Sequence, residues 1–162
     1  LGGTASNTGA CIPLSGAYPN YTINTPCDAS RITFQAQGAV TIQGFRIEHP
    51  FVTVDGFDIT GYTVSNLGDI TIMKNGSYCQ ILNNTLRDGV TPSGAYWGTY
   101  GILFHNAGGL SASNCIVRGN TIKNINFVFL KTGGGRHLFE NNIFENLHGW
   151  DFVYLFGHDL VF

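Results

Sequence analysis

The sequence predicts an all-β solenoid: a parallel β-helix of about five to six coils over residues 30–162, behind an N-terminal cap over residues 1–29. Three observations carry that prediction. A short element recurs, Asn83-Asn84-Thr85-Leu86 returning as Gly119-Asn120-Thr121-Ile122 and as Asn141-Asn142-Ile143-Phe144. Its flanks keep register: Cys79, Ile81, Asn84 and Leu86 match Cys115, Val117, Asn120 and Ile122, then His137, Phe139, Asn142 and Phe144. Within each copy the apolar residues alternate, which is strand periodicity and not helical spacing. Self-similarity at periods of tens of residues marks a stacked-repeat architecture.

Taken in order, residues 1–29 are turn-rich, with Tyr21-Thr22-Ile23 a candidate first strand. A cap is expected there because an open solenoid end exposes both core and strand edges. Arg31–Phe34 and Val40–Ile47 begin the coils, and Gly44 and Gly56 mark bends read as equivalent. Extended backwards, the pattern takes in Val52, Val54, Phe57 and Ile59, and before them Val40, Ile42, Phe45 and Ile47. The second apolar column then runs through positions 42, 54, 81, 117 and 139. Between the copies lie further strand-like runs at Ile70–Ile72, Gly101–Phe104, Phe127–Leu130 and Phe152–Leu155. Residues 88–100 form the longest coil and should protrude. Gly133-Gly134-Gly135 is a turn, since it lacks the Gly-Lys-Ser/Thr ending and following helix of a phosphate loop. Phe152–Phe156 and Asp159–Phe162 read as terminal strands followed by no capping segment. That end is expected to be covered by more of the same polypeptide, by a partner, or by a second copy stacked head to tail.

Asn84, Asn120 and Asn142 have a physical reason to recur. Parallel strands stack at roughly 4.8 Å, so equivalent side chains of successive coils lie one above another. An inward amide at a bend can bond backbone groups of its own turn and the amide next to it, satisfying polar groups that burial would strand.

Composition narrows the function classes. Hydrophobic residues make up 43% and charged residues 11% of the 162, so the surface must be built from Asn, Thr, Ser and Gly. That suits an extracellular, cell-surface or virion-surface solenoid better than a cytosolic enzyme. A formal charge of −2 gives no electrostatic reason to bind nucleic acid. No apolar run approaches the ~20 residues of a membrane span. The chain opens at Leu1 without Met or a signal-like segment, and is read as a processed or excerpted product. Cys11 and Cys27 bracket a loop that a disulfide would stabilise, implying an oxidising compartment. Cys79 and Cys115 share one column, as stacked buried thiols or, at that spacing, as a bonded pair. Neither pair has zinc-site spacing.

The stretch Val52-Thr53-Val54-Asp55-Gly56-Phe57-Asp58-Ile59-Thr60-Gly61, with the repeated Asn-Asn-x-Leu/Phe element, resembles the right-handed parallel β-helix, or pectate-lyase-like, superfamily. The resemblance covers about residues 30–162. It implies a fold more strongly than an activity, because such a fold carries lyases, hydrolases, tailspikes and adhesins alike. For a lyase it implies Lys or Arg removing a proton beside a uronate while Ca²⁺ neutralises the sugar carboxylate. Arg87 and Lys123 would be the candidate catalytic residues, with Arg87 lowering the lysine's pKa. Glu140 and Glu145 would be candidate ligands for the cation. Tyr96, Trp97 and Tyr100 on the long coil would be a sugar-stacking platform, or rings folded back onto the wall.

Read from the residues alone, Arg118 over Glu140 and Lys123 over Glu145 are cross-strand ion pairs, and His137 is a hydrogen-bonded core histidine. The leading expectation is therefore a secreted structural solenoid, without cofactor, self-associating through its last coil. A carbohydrate-active domain binding polysaccharide, in the lyase case with Ca²⁺, is the alternative, as is the front of a longer enzyme.

Overall fold

The computed structural model describes residues 12–18, 21–23, 31–61, 67–89, 99–106, 109–125, 128–132, 134–146, 148, 151–155 and 157–162. These hold sixteen strands and no helix. In chain order they are β1 (Ile12–Tyr18), β2 (Tyr21–Ile23), β3 (Ile32–Ile42), β4 (Phe45–Ile47), β5 (Val52–Asp55), β6 (Asp58–Thr60), β7 (Gly68–Ile72) and β8 (Gln80–Leu82). There follow β9 (Thr85–Arg87), β10 (Tyr100–Phe104), β11 (Ile116–Arg118), β12 (Thr121–Lys123), β13 (Val128–Thr132), β14 (Leu138–Glu140), β15 (Ile143–Glu145) and β16 (Asp151–Leu155).

From β4 onward each strand pairs in parallel with the strand three places on. One large sheet runs β14-β11-β8-β5-β3-β6-β9-β12-β15, and a second runs β16-β13-β10-β7-β4-β2. The eleven-residue β3 joins the two wings of the large sheet, pairing β5 through its first half and β6 through its second. Parallel strands cannot be joined by a tight hairpin, so the chain must travel round before it returns beside itself. The molecule is all-β with a large parallel sheet, consistent with a solenoid. A strand triplet such as β8–β9–β10 is called a rung below.

Alternation decides what is inside. Phe34, Val54, Ile81, Val117 and Phe139 lie in one buried column, and Ile59, Leu86 and Ile122 in another. Ile47, Ile70, Ile72, Ile102 and Phe104 fill the core from the third side. Their outward neighbours, such as Thr85 and Thr121, are half-buried.

The register corrects the sequence reading at one point. Val54 has Phe34 beside it, not Ile42, whose partner is Ile59. The interval from 42 to 54 is too short for a circuit of three strands, and period-two alternation fits any even shift. Residues 12–18, read as turn-rich cap, form β1 on β3, while Tyr21–Ile23 is the second strand and not the first.

The bends are as regular as the strands. Left-handed φ recurs at Phe51, Tyr78, Asn114, Arg136 and Asp159, again at Gly56, Asn83, Gly119 and Asn141, and again at Gly61, Asp88, Asn124 and Asn146. Each set forms a column, one left-handed residue per bend per rung. Asn, Asp and Gly tolerate that conformation best. Phe51 and Tyr78 do not, and their rings stack at 5.0 Å and 12°. Past β16, Val161 bridges Leu138 and His158 bridges Gly135. The Phe162 ring lies on Phe139 at 4.9 Å and 18°.

Candidate functional site

The asparagine column is one continuous hydrogen-bonded ladder. Asn84 Oδ1 accepts the Phe57 N–H at 3.0 Å, and Asn84 Nδ2 donates to the Val54 carbonyl at 3.0 Å. Asn120 Oδ1 accepts both the backbone N–H and Nδ2 of Asn84, at 2.9 and 3.1 Å. Asn142 Oδ1 does the same for Asn120, at 3.0 Å each. The free hydrogens go to carbonyls, Asn120 Nδ2 to Ile81 and Asn142 Nδ2 to Val117, both at 2.9 Å. Asn84 and Asn120 are buried, whereas Asn142 is half-buried.

At Asn142 the ladder meets an open edge. A hollow of about 360 Å³ lies there, lined by Phe139, Glu140, Asn141, Asn142, Phe144 and Phe162. Around this end Ile143, Val161 and Phe162 are 53%, 57% and 63% exposed. Such a surface is apolar; β14 is paired there by Val161, whose carbonyl accepts the Phe139 N–H at 2.8 Å, and β15 is the strand with no further described strand beside it.

A second concentration of chemistry runs from Asp58, which opens β6, to the ends of β9 and β12. Arg87 holds Asp58 bidentately, Nε to Oδ1 and Nη2 to Oδ2 at 2.8 Å each, and reaches Asp88 through Nη1 at 2.5 Å. Asn124 Nδ2 donates to Asp88 Oδ1 at 2.8 Å, and Asn146 Nδ2 to Asn124 Oδ1 at 3.4 Å. The bonds to Asp58 and then Asp88 push the Arg87 pKa above its already high ordinary value. The Asn124 bond, followed by Arg87, lowers that of Asp88. Arg87 is thus a fixed cation engaged by two carboxylates. Lys123 is the register partner of both Arg87 and Glu145, but among the described residues the Lys123–Glu145 ion pair is not formed.

The remaining candidates separate. Glu140 is tied to Arg118, Nε to Oε1 at 2.6 Å, and Glu145 lies on a different strand. Among the described residues no group of three or more His, Cys, Asp or Glu could hold a metal ion. Tyr100 opens β10 at 3% exposure, so its ring is enclosed and not a platform for sugar. Tyr96, Trp97, Cys11 and Cys27 lie outside the described residues. Cys79 and Cys115 are free, buried thiols. Hydrogen bonding with Cys79, then burial, pushes the Cys115 thiol well up. His137 is 1% exposed, with Nδ1 accepting the Cys115 N–H at 3.2 Å.

Sequence reasoning missed Asp69. It follows Gly68 at the start of β7, is wholly buried, and among the described residues neither carboxyl oxygen has a hydrogen-bond partner. Burial, then the Asp88 charge, raises its pKa well above the ordinary 3.8. Its signal was a charge at the head of an apolar run, Asp69-Ile70-Thr71-Ile72. Comparison with protein-family models, with curated proteins and with solved structures yields no match for this chain.

Proposed function

We propose that this chain is a structural right-handed parallel β-helix, secreted or displayed on a cell or virion surface, that associates end to end through the β15 edge and the apolar face formed by Val161 and Phe162. The carrying observation is the hollow over Asn142, with apolar residues exposed around an edge whose asparagine ladder stops half-buried. A neighbouring rung laid on that end would cover Phe162 and Val161 and pair the backbone of β15. Low surface charge favours such packing, since little has to be desolvated. The carbohydrate-active alternative has less support: Arg87 is saturated by its own carboxylates, and the enclosed Tyr100 offers no ring face.

The test is the mass of the purified chain in solution. Sedimentation at rising concentration should show growth beyond the monomer, with filaments in electron micrographs. Phe162→Asp, which places a charge on an exposed ring position, should stay monomeric and folded. A wild-type chain that remains monomeric at high concentration and forms no filaments overturns the proposal.

A further inference from the structure

Asp69 stands apart from the ladder, the edge and the Arg87 array, yet it is the carboxyl with the least tolerable surroundings. Among the described residues neither oxygen finds a partner, and no part of the side chain reaches solvent. A carboxylate without water, cation or donor is unfavourable by far more than an ordinary lost hydrogen bond, and such groups take up a proton instead. Its neighbours offer no rescue. A carbon built on Gly89 would lie 3.6 Å from Asp69 Oδ1 and 3.1 Å from the Thr99 hydroxyl, so the next rung closes directly over the carboxyl. The charge acting on it is that of Asp88, a like charge. On the flanking strands β4 carries Arg46, which is engaged by Glu48 at 2.6 Å, and β10 carries only the Tyr100 phenol.

We propose that Asp69 is a proton-operated latch on the β7–β10 contact: neutral, it lets the rung containing β10 close over it, and ionised, it loosens that rung. In the unfolded chain Asp69 ionises near 3.8, while in the folded chain burial and Asp88 hold the proton to higher pH. The sign follows. Stability from the neutral form is complete below 3.8 and falls as pH rises through the folded value, where the carboxylate appears in its enclosed site. Looseness is local, because the ladder and the Asp58–Arg87 pair belong to the large sheet, whereas β7 and β10 lie in the second one.

The experiment compares the melting temperature of the full chain against pH for wild type, Asp69→Asn and Asp88→Asn. Wild type should lose melting temperature as pH rises above 3.8, Asp69→Asn should lack that slope, and in Asp88→Asn the loss should be smaller and complete at lower pH. Equal slopes in wild type and Asp69→Asn overturn the proposal. Should Asp69→Asn fail to fold, wild type decides alone. A protonated-carboxyl infrared band persisting above the titration of the surface acids should vanish together with amide-exchange protection in β7 and β10. Absence of that band, or its loss without faster exchange, overturns it equally.

Discussion

An asparagine in this ladder acts through its carbonyl oxygen more than through its amide. Asn120 Oδ1 serves two donors of Asn84, one of them a backbone N–H with no alternative partner at a buried bend. Removing the acceptor leaves those donors unsatisfied, and each buried orphan costs about 1–3 kcal/mol. Asn120→Ala should therefore lower unfolding free energy in urea by about 3 kcal/mol. Asn142→Ala, at the half-buried edge, should cost visibly less. These residues were legible because each is embedded in the same apolar flanks, so the spacing itself showed them to be stacked. Asp69 was not legible in the same way. Its burial comes from Gly89 and Thr99, residues of the following rung, and no local pattern announces which chain segment will pass over a given side chain.

Strand pairing was legible wherever a polar residue punctuated the alternation and illegible where none did. The ladder asparagines set β8, β11 and β14 in their true order. The Val40–Ile47 stretch, with only apolar alternation, was placed one strand out of step, Ile42 lying beside Ile59 and Phe45 beside Ile70. The long β3 hides a bend at Gly38, φ 82°, that resembles Gly56, φ 81°, and nothing in the sequence marks it as the division between two strands of one rung. Contacts between elements also set glycine requirements. Gly134, φ 77°, precedes β14, and a carbon on it would overlap the Ala112 carbonyl oxygen. A left-handed alanine costs about 1–2 kcal/mol before that overlap is relieved. Gly134→Ala should lower the melting temperature by at least about 4 °C on the scale of a domain this size, measurable by circular dichroism.

For the whole molecule, two carboxyls with opposite shifts shape stability against pH. Asp88 has its pKa lowered by Asn124 and Arg87, so its contribution is present above 3.8 and is lost as pH falls through the folded value. Asp69 works in the other sense and loses its contribution as pH rises. Their sum is a stability maximum near 3.8, the ordinary carboxylate value both share when unfolded. Asp88→Asn should flatten the acid limb of a melting-temperature profile, by a modest amount because the group is largely solvated. The low overall charge, legible from composition, limits how many other groups can compete with these two.

The three bends of a rung differ in what lengths they accept. Between β5 and β6, β8 and β9, β11 and β12, and β14 and β15 there are always two residues, whereas the connections leading into β7, β10, β8 and β11 vary widely. The constancy falls where the amide ladder runs, since one added residue would carry an asparagine out of reach of its neighbour. A foreign peptide spliced at the ladder bend would break the stack, while the same peptide spliced after Gly61 or at Gly109, where nothing crowds the backbone, would be carried outward as an appendage. The protein thus has one seam that must be copied faithfully and two that can be elaborated.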